Sequence, residues 1–423
     1  ITTLRGDIWR VLLHIKPIKL PTPLHLTISE NDIPPIVNKL VSVINQSKRA
    51  ELLRDSFTIA NTLVQPKTSP NFVPTILIAL IFYYIYPNET VEFRLGAVYS
   101  FLRMLQPFFS HLYPSTQKGL FCLMHILLQY HDPHLCHYLD SFRVEPVTYT
   151  NRFFYNLLYP AGETVNDVLV LWDEFILNND KYIPFYSVIA YLIHIRDDIM
   201  KETKKNELIT LLRGKRISND DIRMVICLTN ALERRTLSSF KLLLKSCYYN
   251  EDMFRRWYTK SLGSTLALPV EATSLVDDIN HGAEVIFIDC RPAEMYAGGA
   301  IGNAVNFDYT RREDEDYLKN FFGSSLMQTL KDPKRHIHVV IYGSGEIGRT
   351  AQQIPSLSEL TMILLDFIRR GVKRLGILLS GYYLFHKHYI AKVPGFIISN
   401  HVPYHCPICT PPEIGRASCR ERV

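Results

Sequence analysis

Residues His338 to Thr350 read HVVIYGSGEIGRT, and this stretch decides the fold of the second half of the chain. Its first part, Val339 to Tyr342, is a continuous run of β-forming apolar residues, which favours a buried strand of a parallel sheet. A glycine-rich loop follows, and an apolar stretch of helical length begins at Leu357. Because a strand, a glycine loop and a helix N-terminus direct free backbone N–H groups at one point, the stretch predicts a cradle for an anion.

The loop resembles the active-site loop of rhodanese-like domains and related phosphatases, which a cysteine opens and an arginine closes. Gly343 stands here at the cysteine position and Arg349 at the arginine position, with five residues between them. Since glycine has no thiolate, covalent transfer of sulfur or phosphoryl is not expected. The spacing is similar to that of phosphatase-type members, so Ser344, Gly345, Gly348 and Arg349 are candidate ligands of a phosphate-sized anion. The alternative is a vestigial loop that only stabilises the fold.

Two further motifs extend the resemblance over residues 268 to 390. Phe287 to Tyr296 reads FIDCRPAEMY and is similar to the rhodanese strand that ends in Asp-x-Arg-Pro. Gly376 to Tyr382 reads GILLSGY and matches the last strand with its glycine corner. Short apolar runs alternate with helical patterns here, which predicts a small α/β domain with a parallel sheet in residues 268–392. The resemblance implies structural roles for Asp289 and Arg291.

Helical periodicity predicts an all-α domain with a basic helical extension in residues 1–260. Three sequence islands are LRGDIWRVLL from Leu4, DPHL from Asp132 and VLVLWD from Val168. In this order they resemble the TBC domain of Rab GTPase-activating proteins, which implies a multi-domain chain with a Rab GTPase as a candidate partner.

Several residues of the helical half are expected to serve its core. Trp9 and Trp172 are expected to fill core space, and Arg5 and Asp173 to make internal polar bonds. The apolar run from Phe72 to Tyr86 is shorter than the roughly 20 residues that cross a membrane, so it predicts a buried helix.

Catalysis in the TBC family needs an arginine that neutralises charge on the transferred phosphoryl group, an effect of roughly 10³ to 10⁵ in rate for arginine fingers. It also needs a glutamine that places the attacking water. The arginine is expected three residues after an aspartate, and here Asp55 is followed by Thr58 at that position. Residues 66–105, where the glutamine is expected, contain none. Both catalytic side chains are therefore predicted to be absent, and rescue by Arg49 or Arg54 is the alternative.

The composition describes an ordinary globular protein. The chain has 423 residues, of which 47% are hydrophobic and 21% charged, so extensive disorder is not expected. Eight cysteines in this length do not form a dense disulfide framework, which favours a reducing cytosolic setting.

Positive charge is concentrated in residues 201–260, where 14 Lys and Arg stand against 7 Asp and Glu. Such a segment predicts a docking surface for an acidic protein or, peripherally, an anionic membrane, although a solvated helical face is the alternative. The basic residues singled out as candidate partner contacts are Lys204, Lys205, Arg213, Lys215, Arg216, Arg234 and Arg235.

The last residues contain a Cys-x-x-Cys sequence, Cys406 to Cys409, with His401 and His405 just before it. A structural zinc site needs four ligands, and these four are too closely spaced in sequence. We therefore expect no metal and no cofactor, with Cys406 and Cys409 as a weak candidate half-site. Residues 393–412 read as a loop-like linker, and EIGRASCRERV in residues 413–423 reads as a translated adapter, so the chain is expected to be a fragment.

A TBC domain paired with a rhodanese-like domain, both without catalytic residues, resembles non-catalytic adaptors of vesicle transport. In those proteins the TBC–rhodanese part binds golgin coiled coils at the trans-Golgi. A C-terminal domain, which we expect to be missing here, engages endosomal vesicle machinery linked to the WASH complex. The resemblance implies a pseudoenzyme on the cytosolic face of the trans-Golgi network and transport vesicles, with protein partners and no nucleic acid. The alternatives are an active Rab GTPase-activating protein with atypical fingers and a phosphate or phosphoinositide binder that uses Arg349.

Overall fold

The computed structural model describes residues 2–20, 28–29, 33–64, 72–105, 114–150, 164–178, 180–216, 218–249, 267–332, 334–345, 355–389, 398–404 and 409. The chain forms two compact units. The helical unit comprises residues 1–121 and 139–233, and the α/β unit comprises residues 122–138 and 234–423. None of the described helices is both long enough and apolar enough to cross a membrane.

The chain up to residue 234 is helical wherever it forms regular structure that is described. Its α-helices are α1 (Thr2–Leu12), α2 (Pro35–Asn45), α3 (Arg49–Leu63), α4 (Phe72–Ile85), α5 (Val91–Met104), α6 (Pro114–His131), α7 (Pro133–Ser141), α8 (Val165–Asn178), α9 (Ile183–His194), α10 (Arg196–Lys201), α11 (Lys205–Gly214) and α12 (Asn219–Arg234). The all-α prediction for this part of the chain is confirmed.

The motif residues of the helical unit build its aromatic core. Trp9 and Trp172 are fully buried, and the ring of Phe101 stacks on that of Trp172 with centroids 4.8 Å apart. Arg5 pairs with Asp173 at 2.9 Å, and the indole N–H of Trp9 donates to the same carboxylate at 2.8 Å. The expected core and internal polar roles of these residues are confirmed. The apolar run in α4 is buried on nearly all sides, as predicted.

The α/β unit alternates strands with helices after residue 267. Its strands are β1 (Leu268–Val270), β2 (Val285–Asp289), β3 (Ala300–Ile301), β4 (Val305–Asn306), β5 (His338–Tyr342), β6 (Leu375–Leu378) and β7 (Ile398–Ser399). Its further helices are α13 (Ser239–Tyr249), α14 (Ala272–Asn280), α15 (Ala293–Ala297), α16 (Glu315–Phe322), α17 (Ser325–Lys331), α18 (Leu357–Arg369) and α19 (Gly381–Tyr389). Five strands form a sheet of order β1-β6-β5-β2-β4, and β3 pairs with β7.

Strand β5 lies at the centre of this sheet, and all of its residues are buried. It pairs in parallel with β2 and β6, and the register sets Asp289 opposite Tyr342. The predicted parallel sheet is confirmed. Because parallel strands end at one edge, the loops after β2 and β5 meet there, which is where α/β sheets place their ligands.

Two stretches that precede residue 250 in the chain pack with the α/β unit. Arg374 donates its backbone N–H to the carbonyl of Tyr130 at 2.8 Å, and the Tyr130 hydroxyl lies 2.5 Å from His338 Nδ1. Ser238 donates its backbone N–H to the carboxylate of Asp278 at 2.9 Å. The α/β unit therefore recruits helical residues from 122–138 and 234–249 in addition to its sheet.

Candidate functional site

The position expected to carry the catalytic arginine is Thr58, in the middle of α3. Its side chain is only 8% exposed. The Thr58 hydroxyl donates to the carbonyl of Arg54 at 2.7 Å, and the Thr58 carbonyl accepts from the hydroxyl of Thr62 at 2.8 Å. This residue is therefore bonded within its own helix, and its short neutral side chain offers no cation to a bound nucleotide.

The aspartate that precedes this position is satisfied from within the helical unit. Arg94 lies on α5 and is only 3% exposed. Its Nη2 group donates a hydrogen bond to Asp55 Oδ2 at 2.6 Å. The same guanidinium donates Nη1 to the carbonyl of Glu89 at 2.6 Å. Sequence reasoning missed Arg94, although a lone arginine in the apolar sequence VEFRLGAVYSFL of α5 was the available signal. Its charge neutralises Asp55 and is not free for catalysis.

A tyrosine and a glutamate extend this buried cluster. The Arg94 guanidinium lies 4.2 Å from the centroid of the Tyr83 ring, and the Tyr83 hydroxyl donates to Glu51 Oε1 at 2.7 Å. Burial, together with that hydrogen bond, raises the pKa of Tyr83 to about 12. The hydrogen bond from Tyr83 lowers the pKa of Glu51. The cluster therefore runs from the buried Asp55–Arg94 pair to Glu51, which is partly exposed.

The two nearby arginines differ in availability. Arg49 donates Nη1 to Asn38 Oδ1 at 2.8 Å. The side chain of Arg54 is 66% exposed, and its Nε lies 3.5 Å from Asp55 Oδ1. Arg54 is therefore the more exposed of the two arginines that could replace the missing finger.

The loop after β5 is tied to the start of α19. The backbone N–H of Tyr382 donates to the carbonyl of Gly343 at 2.9 Å, and the N–H of Tyr383 donates to the carbonyl of Ser344 at 2.8 Å. Gly345 has a φ of +81°, and a Cβ there would collide with the carbonyl oxygen of Ser380. Only glycine fits this close backbone approach, so the glycine-rich sequence is needed to form the turn.

Two hydroxyls in this corner are buried without a hydrogen-bond partner among the described residues: Ser344 Oγ and Ser380 Oγ. Buried hydroxyls are normally bonded, and each unpaired one costs free energy. The predicted anion site is described in part, because Gly348 and Arg349 lie outside the described residues, whereas Ser344 and Gly345 lie within them. Ser344 has no general base in hydrogen-bond contact within this part, so it is not positioned as a nucleophile.

The Asp-x-Arg motif forms a buried ion pair beneath this corner. Arg291 donates Nε to Asp289 Oδ1 at 2.9 Å and Nη2 to the carbonyl of Gly299 at 2.6 Å. Its guanidinium stacks 3.7 Å from the centroid of the Tyr382 ring, and the Tyr342 hydroxyl donates to Asp289 Oδ2 at 2.8 Å. Burial alone would lower the pKa of Arg291, but the hydrogen bond and the charge of Asp289 raise it. The pair joins loops, as the resemblance implied.

The cysteine within that motif is not a replacement nucleophile. Cys290 is fully buried, and burial raises the pKa of its thiol well above the ordinary value. A thiol is reactive as the thiolate, so this residue serves the core.

The structure brings one cysteine of the Cys-x-x-Cys sequence next to two histidines. Cys409 Sγ lies 3.4 Å from His401 Nε2 and 3.6 Å from His386 Nε2. Cys406 and His405 lie outside the described residues. Sequence reasoning missed His386, because α19 brings it from 23 positions before Cys409.

The seven basic residues predicted to contact a partner divide between the two units. Lys204, Lys205, Arg213, Lys215 and Arg216 lie in the helical unit around α11, whereas Arg234 and Arg235 belong to the α/β unit.

Much of the charge around α11 is already matched. Lys204 pairs with Glu207 at 2.9 Å, and Lys215 pairs with Asp198 at 3.0 Å. Lys205 donates to the carbonyl of Arg143 at 2.9 Å.

Two arginines in the same area are more open. Arg213 and Arg216 are exposed, and neither makes an ion pair with any described residue. Together with Lys205, whose carbonyl partner leaves its charge in place, these two carry the net positive charge of the predicted surface in the helical unit.

Comparison with known proteins finds one domain-family match in each half of the chain. Residues 71–200 match the Rab-GTPase-TBC domain family, and residues 271–388 match the rhodanese-like domain family. The first match begins after Thr58, so the assignment of the missing arginine to that residue depends on the local motif. Among solved structures, the chain is similar to the crystal structure of the Ypt/Rab-GAP domain of Gyp1p. The identity is 16%, the similarity covers 54% of this chain and 80% of that chain, and the TM-score is 0.34.

Proposed function

Because the chain contains a TBC domain and a rhodanese-like domain, we propose that it is a non-catalytic adaptor of vesicle transport. In this proposal it resembles TBC domain family member 23. It acts on the cytosolic face of the trans-Golgi network, where it holds golgin coiled coils and helps to capture endosome-derived vesicles. The observation that carries the proposal is the hydrogen bond from the Thr58 hydroxyl to the carbonyl of Arg54 in its own helix. Catalysis would need an arginine at this position.

The physical argument concerns charge at the reacting phosphate. A finger must extend a guanidinium into the nucleotide site, where it stabilises the transition state by a factor of roughly 10³ to 10⁵. Thr58 is short and uncharged, and the buried Arg94 is paired with Asp55. In the other unit, Gly343 stands where a thiolate would be needed. Two folds that keep their cores without their reactive groups retain surface recognition as a use.

The surface around α11 supplies the charge for such recognition. Arg213 and Arg216 are exposed, and neither is paired with a described acidic residue. Acidic stretches of a coiled coil are complementary to such a surface. Electrostatic complementarity of this kind mainly sets the association rate and the choice of partner.

The proposal is tested first by single-turnover GTP hydrolysis over a panel of Rab GTPases. We expect the rate with the full chain to stay within about tenfold of the intrinsic rate, far below an arginine-finger effect. A larger acceleration on any member would favour an active GTPase-activating protein with atypical fingers. Arg54→Ala then identifies the source, since Arg54 is the exposed arginine next to Asp55.

Golgin binding is tested with purified coiled-coil fragments and a double charge reversal, Arg213→Glu with Arg216→Glu. We expect binding to weaken about tenfold and to become less sensitive to salt, because exposed charges contribute about 0.5–1 kcal/mol each. The matched control is Arg103→Glu with Lys39→Glu, an equal charge change on two exposed residues of α5 and α2. An equal loss in the control would mean that net charge, and not this surface, drives the association.

A second candidate function is binding of a phosphate group at the loop after β5, and the two buried hydroxyls of Ser344 and Ser380 favour it. An anion would supply acceptors for donors that the described residues leave unpaired. The test is thermal stabilisation by inorganic phosphate and by soluble phosphoinositide headgroups, for the wild type and for Arg349→Ala. Stabilisation that survives this substitution would place the anion elsewhere.

A further inference from the structure

Three metal-binding side chains converge near the C-terminal end of the described α/β unit. His386 lies on α19, His401 follows β7, and Cys409 comes eight residues later. The Nε2 atoms of the two histidines are 3.0 Å apart, and Cys409 Sγ lies 3.6 Å and 3.4 Å from them. We propose that these three side chains form a structural zinc site that fastens the segment after β7 to the rhodanese-like domain.

The distances match the edges of a tetrahedral zinc centre. Zinc binds imidazole nitrogen at about 2.0–2.1 Å and thiolate sulfur at about 2.3 Å, so two nitrogen ligands lie about 3.3 Å apart and nitrogen and sulfur about 3.6 Å apart. The three observed separations, 3.0, 3.4 and 3.6 Å, fall close to these values. One ion can therefore contact all three atoms after small side-chain movements.

The donor set also selects the metal. Two imidazole nitrogens and one sulfur suit zinc, whereas calcium and magnesium require oxygen ligands. Thiolate also binds copper(I), but zinc is favoured where imidazole and thiolate combine in a tetrahedral arrangement. Hydrogen bonds without a metal are the competing explanation of the short distances. The zinc measurement described below distinguishes the two explanations.

The surrounding fold explains why a metal is useful here. Strand β7 is only two residues long and pairs with the equally short β3. The Ser399 hydroxyl donates to the carbonyl of Gly302 at 2.5 Å, and the backbone N–H of Val402 donates to the carbonyl of Gly298 at 3.5 Å. Within residues 398–404, the described part of this segment, few backbone bonds hold it in place, and a metal that joins it to α19 adds a strong connection.

The fourth ligand is decided by experiment. Cys406 precedes Cys409 by the Cys-x-x-Cys spacing of zinc-binding sequences, although it lies outside the described residues. If Cys406→Ser keeps the zinc, the three described ligands suffice together with a water molecule. If that substitution releases the zinc, the site uses two thiolates.

The test measures zinc by mass spectrometry of the full chain, purified without chelators. Cys419→Ser is included in every sample, because this cysteine lies outside the described residues and is not part of the proposed site. We expect one zinc ion per chain in this background and almost none in His386→Asn, His401→Ala or Cys409→Ser. Two matched controls keep the metal: Cys227→Ser and His137→Ala, which remove exposed side chains of the same types elsewhere.

Cobalt(II) gives a second measurement that does not depend on the stability of the variants. Replacement of zinc by cobalt in the background chain should produce thiolate-to-cobalt charge transfer and the intense visible bands of a tetrahedral site. A chelator should lower the melting temperature of the same sample. A chain that contains no zinc and shows no cobalt spectrum would overturn the proposal and leave a hydrogen-bonded cluster.

Discussion

In the helical unit, the position at which the local motif predicts a catalytic arginine is Thr58 inside α3, and its hydroxyl is bonded to the carbonyl of Arg54. In the α/β unit, the position at which the rhodanese motif predicts a cysteine is Gly343 at the end of β5, followed by a tight glycine turn with the buried hydroxyl of Ser344. The first position is occupied by contacts internal to the fold, whereas the second keeps part of the shape of a ligand site. Under the proposed non-catalytic function, the helical unit therefore has less scope to regain chemistry at this position than the α/β unit.

Each unit also contains a buried Asp–Arg pair close to its altered position. Asp55 and Arg94 form the pair in the helical unit, and Asp289 and Arg291 form it in the α/β unit. The two pairs differ in how completely they are buried, since the Asp55 side chain keeps 10% of its exposure and that of Asp289 keeps none. The two units therefore share a buried ion pair next to the altered position, and they differ in how completely that pair is shielded from water.

The largest expected effect comes from removing the arginine of each pair. Arg291→Met leaves the Asp289 carboxylate buried without its counter-charge, so the free energy of unfolding should fall by about 3–5 kcal/mol. Arg94→Met should cost less, about 2–3 kcal/mol, because Asp55 can reach some water. Urea denaturation followed by circular dichroism measures both changes.

The control for these substitutions is Arg312→Met. Arg312 pairs with Asp366 at 3.0 Å, but its side chain is 31% exposed. A pair of this kind contributes about 1 kcal/mol or less, so the control should be nearly neutral. Equal losses from Arg291→Met and Arg312→Met would contradict the role given to burial.

Acid should affect the α/β unit more than the helical unit. Every described histidine whose pKa is lowered belongs to the α/β unit. Burial, reinforced by the charge of Arg374, lowers the pKa of His131 to about 3 and that of His338 to about 4. The unfolded chain binds protons at these groups near pH 6.5, and the folded chain does not.

The sign of the pH effect follows from this difference. The stabilisation from the neutral histidines is complete above pH 6.5 and is lost as the pH falls towards 4, because the unfolded state then binds more protons. Between pH 7 and 5, His131 and His338 together should lower the free energy of unfolding by about 3–4 kcal/mol. Denaturation curves over this range measure the slope, and His338→Asn should reduce it by about half. An unchanged slope would mean that His338 is not buried in its neutral form.

The sequence predicts features that depend on local pattern. The apolar run of β5 is continuous in sequence, and Asp289 and Arg291 are only two positions apart, so the strand, the loop and the Asp289–Arg291 pair could be expected. Arg94 and His386 could not, because their partners are distant in sequence. Arg94 meets Asp55 across 39 positions, and His386 meets Cys409 across 23. Contacts of this range are set by helix packing, which residue spacing alone does not reveal.

The glycine turn gives a smaller and sharper test of the α/β unit. Gly345 and Gly371 have almost the same φ, +81° and +82°, but a Cβ would collide with Ser380 at the first and meet nothing within 4 Å at the second. Gly345→Ala should therefore cost about 2–4 kcal/mol, from strain and collision together, and Gly371→Ala about 1–2 kcal/mol from strain alone. Thermal unfolding of the two variants measures the difference. Equal losses of unfolding free energy at the two glycines would mean that the backbone around Gly345 and Ser380 opens to admit a methyl group. The turn would then not be a preserved anion-binding loop.

The smallest effect is expected at Thr58, and it tests most directly whether this position in α3 serves only the fold of the helical unit. Thr58→Val keeps the volume and removes only a hydroxyl that donates to the carbonyl of Arg54. The loss should be about 0.5–1.5 kcal/mol of unfolding free energy, the value of one ordinary hydrogen bond. Because the bond lies within α3, GTP hydrolysis by any Rab GTPase should not change. A lower rate with the variant would mean that the hydroxyl reaches the nucleotide, and the helical unit would then have replaced its chemistry instead of losing it.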